Sequence, residues 1–95
     1  MVSEIFYQVT DNRMRFAEGI TLKFMKELKG KKEIFVKPNI VSHELYPTTT
    51  HPDVLRYVLK NLPRNSNVII ADYPAVDAGN SGKIIKNHPL AKVCR

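Results

Sequence analysis

The residues with most capacity for chemistry lie between Lys37 and His51, with Asp72 further along. Lys37 offers an ammonium group, and Asn39 an amide that both donates and accepts. Thr48, Thr49 and Thr50 offer hydroxyls, followed at once by His51 and Pro52. Proline favours the first turn of a helix, so the segment after Thr50 is expected to begin one, with His51 or Thr50 as cap. A helix start presents backbone N–H groups and a positive dipole end, which suits an anion. The pattern predicts an anionic small-molecule site held by Lys37, Asn39, Thr49, Thr50 and His51, with Asp72 in contact with the ligand. The competing reading is structural. Asn39 would satisfy loop backbone, the threonines would only cap, Lys37 would be solvated and Asp72 would form a turn.

Other signatures of catalysis fail on spacing. No G-x-G-x-x-G follows a strand-like run. Gly82-Lys83 resembles the end of a phosphate-binding loop, but Asp77 replaces its first glycine and Ile84 its hydroxyl residue. Gly79-Asn80-Ser81-Gly82 closes one residue too early for a nucleophile elbow. His43-Glu44 leads to Pro47 where a zinc protease needs its second histidine. His43, His51, His88, Asp72 and Asp77 match no standard metal spacing, so no metal site is expected. Cys94, the only cysteine, can neither close an internal disulfide nor hold an iron–sulfur cluster.

The elements that must position these residues follow from periodicity. Glu4 to Val9 is β-rich, and Thr10-Asp11-Asn12 supplies helix-capping chemistry. Met14, Ala17, Ile20, Thr21, Phe24 and Leu28 then recur at helical spacing, ending at Gly30. Ile34 to Val36 reads as a strand buried on both faces and ended by Pro38. Val54, Leu55, Val58, Leu59 and Leu62 give a second helical stripe, stopped by Pro63. Asn67 to Asp72 reads as a third strand. Ser81 to Lys86 gives a third helix, broken or restarted at His88-Pro89.

The order βαβαβα predicts an α/β fold: a short, mostly parallel sheet with flanking helices. In such sheets ligands sit beyond the carboxyl ends of the strands. There the loops at Thr10–Asn12, Lys37–His51 and Asp72–Ser81 are expected to meet. The middle loop exceeds the few residues usual for such a connection.

The run Ile34-Phe35-Val36-Lys37-Pro38-Asn39-Ile40-Val41, followed by Thr49-Thr50-His51-Pro52-Asp53-Val54-Leu55, resembles the N-terminal part of the DUF362 family. Members read as a strand ending in Lys-Pro-Asn, a loop, then Thr-x-Pro-Glu/Asp-Val opening a helix. The resemblance draws attention to Lys37, Asn39, Thr50 and Pro52. It implies a largely prokaryotic, uncharacterised family, many members of which carry ferredoxin-like cysteine clusters further along. No such cluster lies within these 95 residues. Any iron–sulfur cofactor would belong to a C-terminal part outside them, and the chain is expected to be the N-terminal part of a larger domain.

Composition narrows the partners. Hydrophobic content of 43 % with 25 % charged residues is that of an ordinary globular chain. No apolar run approaches the ~20 residues of a membrane span, and Met1-Val2-Ser3-Glu4 lacks signal-peptide character, so a cytoplasmic, membrane-free protein is expected. The net charge of +6 invites a nucleic-acid reading. Lys23, Lys26, Lys29, Lys31 and Lys32 cluster at one predicted helix end instead, where they complement its dipole. Tyr7, Tyr46, Tyr57 and Tyr73 do not interleave with a basic stripe, so nucleic acid is disfavoured. A truncated sheet edge would make homo-oligomers possible partners. Three functions follow: part of an anion site in a larger α/β enzyme, a non-catalytic module of an iron–sulfur electron-transfer protein, or, third in order, a basic nucleic-acid-binding domain.

Overall fold

The computed structural model describes residues 3–40, 44, 46–73 and 88–94. Along the chain run α1 (Arg13–Lys23), α2 (Met25–Leu28), β1 (Glu33–Val36), α3 (Pro52–Lys60), β2 (Asn67–Ile70) and α4 (Leu90–Val93). β1 and β2 pair in parallel, with Glu33 opposite Asn67 and Val36 opposite Ile70. The α/β class and the parallel pairing agree with the alternation of elements in the sequence. The expected loop beyond Tyr73, the helix from Ser81, and His43 and Asp77 lie outside the described residues.

The helices α1 and α3 start where the sequence places their caps. Asn12 accepts the Arg15 N–H on its side-chain oxygen at 3.1 Å. His51 precedes α3, and its Nδ1 accepts the Asp53 N–H at 3.1 Å. Pro52 opens α3, with Asp53 in its first turn. Gly30, just past α2, adopts φ 84°, the left-handed conformation that closes a helix.

Three expectations need correction. The run Glu4 to Val9 forms no strand. Phe6 turns onto Phe24, ring centroids 5.9 Å apart, with the Lys23 Nζ 4.6 Å from its ring centroid. Ile5, Tyr7 and Val9 stay exposed. The β-preference of these side chains depends on a neighbouring strand, and none among the described residues pairs with them. The single helix expected through Leu28 instead divides at Phe24. Thr21 Oγ1 donates back to the Ala17 carbonyl at 2.8 Å, a bond that bends helices, and the Phe24 N–H closes a tighter turn on the Thr21 carbonyl. Lastly, the sheet is not buried on both faces: Ile34 is buried, whereas Phe35 is 63 % exposed and its register partner Ile69 43 %.

The core lies on the covered face. Ile40, Leu55 and Leu90 form its buried centre, with Val36, Leu59 and Val93 packed around them. The amphipathic stripe of α3 supplies Leu55 and Leu59, so this helix joins the sheet, α1 and α4.

Candidate functional site

The geometry begins with the parallel register. Val36 and Ile70 end their strands side by side, and the Ala71 N–H donates to the Val36 carbonyl at 3.2 Å. Lys37 and Asp72 therefore emerge together, and Lys37 Nζ lies 3.0 Å from Asp72 Oδ1. The other carboxylate oxygen accepts the Ile40 N–H at 2.6 Å. Asp72 thus braces the backbone after β1, which is neither a local turn nor a free ligand contact. Burial pushes its carboxyl pKa up. The hydrogen bonds from Ile40, Lys37 and Tyr73, with the Lys37 charge, outweigh that and hold it below the usual Asp value.

The long loop is closed at its neck. The Asn39 N–H donates to Thr50 Oγ1 at 2.7 Å, and the Thr50 N–H returns to the Asn39 carbonyl at 3.0 Å. Asn39 Nδ2 donates to the Thr48 carbonyl at 3.1 Å, and Thr49, 2 % exposed, donates from Oγ1 to the Glu44 carbonyl at 2.6 Å. The Lys-Pro-Asn corner and the threonine-led helix start consequently sit against each other.

Pro38, Asn39 and Ile40 line two hollows in alternation. Asn39 lines a depression of about 350 Å³ together with Arg13, Tyr46, Pro47, Thr49, Thr50, His51 and Val54. Pro38 and Ile40 line a cavity of about 170 Å³ with Leu55, Ile70, Asp72, His88, Leu90 and Cys94 among its walls. Four of the expected ligand residues, Asn39, Thr49, Thr50 and His51, therefore share the larger hollow. Asp72 lines the smaller one, and Lys37 lines neither.

The larger hollow gains a cation that sequence reasoning did not single out. Arg13 opens α1, and the packing of α1 on α3 brings its guanidinium carbon 4.9 Å from the Tyr46 ring centroid. Tyr46 in turn meets His51 edge to face at 5.0 Å. The signal was indirect: the Thr10–Asn12 loop was expected at this rim, and Arg13 follows it directly.

The helix start itself is not an open anion cradle. His51 Nδ1 takes the Asp53 N–H, and the His51 carbonyl takes those of Val54 and Leu55. The Asp53 carboxylate already stands there, paired with Arg56 at 2.8 Å. Spare donors come from side chains: the Arg13 guanidinium, the second amide hydrogen of Asn39, and the Thr50 hydroxyl proton, whose oxygen only accepts.

In the smaller hollow, His88 is 2 % exposed. Its Nδ1 accepts the Leu90 N–H at 3.1 Å, which serves the start of α4 as the sequence suggested. Its Nε2 is buried without a partner among the described residues. An unmet buried polar group of this kind costs roughly 1–3 kcal/mol. Cys94 donates from Sγ to the Leu90 carbonyl at 3.3 Å, and burial raises its thiol pKa, the opposite of an activated nucleophile.

Among the described residues there is no group of three or more His, Cys, Asp or Glu side chains placed to hold a metal, and no helix long and apolar enough to cross a membrane. No protein-family model matches the chain, and no curated protein or solved structure shows significant similarity to it.

Proposed function

We propose that this chain binds a small anion, such as a phosphate or the carboxylate of a metabolite, in the depression between α1 and the neck of the long loop. The observation that carries this reading is convergence. Arg13, Asn39 and Thr50 come from separate parts of the sequence, line one hollow, and each retain donor capacity. Arg13 forms no ion pair among the described residues, so its charge is available, while Asp53 nearby is occupied by Arg56. A guanidinium suits a planar carboxylate or a phosphate, which it binds through two parallel hydrogen bonds. Lys37 belongs to a different task, the pair with Asp72.

The role is recognition and orientation. It fits the proposal that the DUF362-like motif contributes part of a small-molecule site to a larger α/β enzyme. The arrangement contains no nucleophile–base pair among these residues, so chemistry would come from elsewhere in such an enzyme.

Titration of the chain with inorganic phosphate at low salt, followed by amide chemical shifts, tests the idea. Saturable shifts at Asn39, Thr50 and His51 are expected. Arg13→Ala is expected to weaken binding about tenfold or more, the scale of one charge-assisted contact. Thr50→Val removes the hydroxyl donor, with a smaller loss expected. Equal phosphate affinity for the native chain and Arg13→Ala would refute the site.

A further inference from the structure

We infer that the uncovered face of the sheet binds single-stranded nucleic acid, with a base stacked on Phe35 and phosphates held by the cations at either end of β1. The strands fix which side chains share that face. Successive residues of a strand point to opposite sides. Val36 packs on the core and Ile34 is buried, so Glu33 and Phe35 face away from it. Ile69, the register partner of Phe35, stands beside it and is likewise exposed. The four tyrosines do not interleave with the basic residues, but Phe35 does: it lies between Lys32 and Lys37 in the chain.

The cations are gathered by the pairing of the two strand starts. The Lys32 carbonyl accepts the Asn67 N–H at 2.7 Å, and the Lys31 carbonyl accepts the Ser66 hydroxyl at 2.6 Å. Lys31, Lys32 and Arg64, in the turn before β2, therefore collect at one end of the sheet. All three are exposed and form no ion pair among the described residues. Lys37 marks the other end, its side chain 62 % exposed. An open aromatic ring on a strand stacks any base, and flanking cations hold the phosphates. Charge also decides against a second copy of the chain. At a net charge of +6, two such faces brought together would oppose their lysines. A protein partner needs roughly 800 Å² of surface, and the two strands offer only Phe35 and Ile69 as large exposed apolar side chains. None of these residues lines the depression at Arg13, so either site can fail without the other.

The test uses the 95-residue chain and fluorescent oligo-dT and oligo-U of about twelve nucleotides, followed by anisotropy. The same oligo-dT annealed to its complement is the third probe. Either single strand is expected to bind more tightly than the duplex, whose bases are already stacked, and the tighter of the two names the sugar preferred. Affinity is expected to fall roughly tenfold between about 50 and 200 mM salt, as for about two or three phosphate contacts. Phe35→Leu keeps an apolar side chain but removes the ring, and is expected to weaken single-strand binding about fivefold or more. Glu33→Gln removes the negative charge from this face and is expected to tighten binding at low salt. Lys31→Gln with Lys32→Gln is expected to weaken binding and flatten its salt dependence, which keeps the test open should Phe35→Leu not fold. Absence of binding even at low salt, equal affinity for the duplex, or unchanged affinity in folded Phe35→Leu overturns the proposal. So does self-association of the chain, by sedimentation, that Phe35→Leu abolishes.

Discussion

Asp72 and Lys37 form a pair whose partners differ greatly in importance. The Asp72 side chain is 7 % exposed and that of Lys37 62 %. An exposed ammonium contributes about 0–1 kcal/mol to such a bridge, so Lys37→Met is expected to lower stability by no more than that. Asp72→Ala removes the acceptor for the Ile40 N–H, and hydrogen bonds to charged groups contribute roughly 1.5–3 kcal/mol. Urea midpoints of the two variants check this order. The pH dependence has a definite sign. The folded-state pKa of Asp72 lies below its ordinary value of 3.8, so its contribution is complete above that value. It is lost as pH falls through the lower folded-state pKa. The stability gap between the native chain and Asp72→Asn is therefore expected to be constant near neutrality and to shrink below about pH 4. The sequence identified Asp72 as a residue of interest because it follows an apolar strand. It could not reveal the brace to Ile40, which depends on strand register. His88 was legible as a helix-start residue, but its unmet Nε2 depends on what surrounds the ring.

The helix α3 was the most readable part of the chain. Val54, Leu55, Val58, Leu59 and Leu62 are each buried or half-buried, and the cap falls at His51. Local signals sufficed there: a proline at the first turn, a stripe at helical spacing and a stop at Pro63. Strand assignments fared unevenly because pairing is not local. The runs at Ile34–Val36 and Val68–Ile70 found each other, while Ile5, Phe6 and Tyr7 carry the same β-preference and formed no strand. Burial of both faces also failed for lack of a cover over Phe35 and Ile69. Leu55→Ala is expected to cost about 2–5 kcal/mol, since Leu55 is 3 % exposed at the centre of the core. Phe35→Ala, on the uncovered face, is expected to cost much less despite deleting a larger side chain. Denaturant unfolding of both variants compares them, and an equal loss would mean that Phe35 is covered in solution.

For the whole chain, the buried apolar centre is small. Ala17, Ile34, Ile40, Leu55, Leu62 and Leu90 are its buried apolar members among the described residues. A 95-residue domain holds roughly 5–14 kcal/mol of stability by ordinary scaling, so a single loss at Leu55 consumes a large part of it. The parallel register and α3 organise both hollows, which Pro38, Asn39 and Ile40 line in alternation. The doubled bond between Asn39 and Thr50 also changes what the intervening chain must do. With its two ends clasped, that stretch is a closed loop, entered at the core residue Ile40 and left at the buried Thr49. Lengthening a closed loop costs little, about 0.6 kcal/mol for each doubling. A glycine–serine insertion between positions 42 and 43 is expected to leave the melting temperature within a few degrees of the native value, by calorimetry. The same insertion in Thr50→Val, where the clasp is weakened, is expected to cost more. This clasp makes the loop an acceptor for grafted peptides, since the ends that meet the scaffold stay joined whatever length is carried between them.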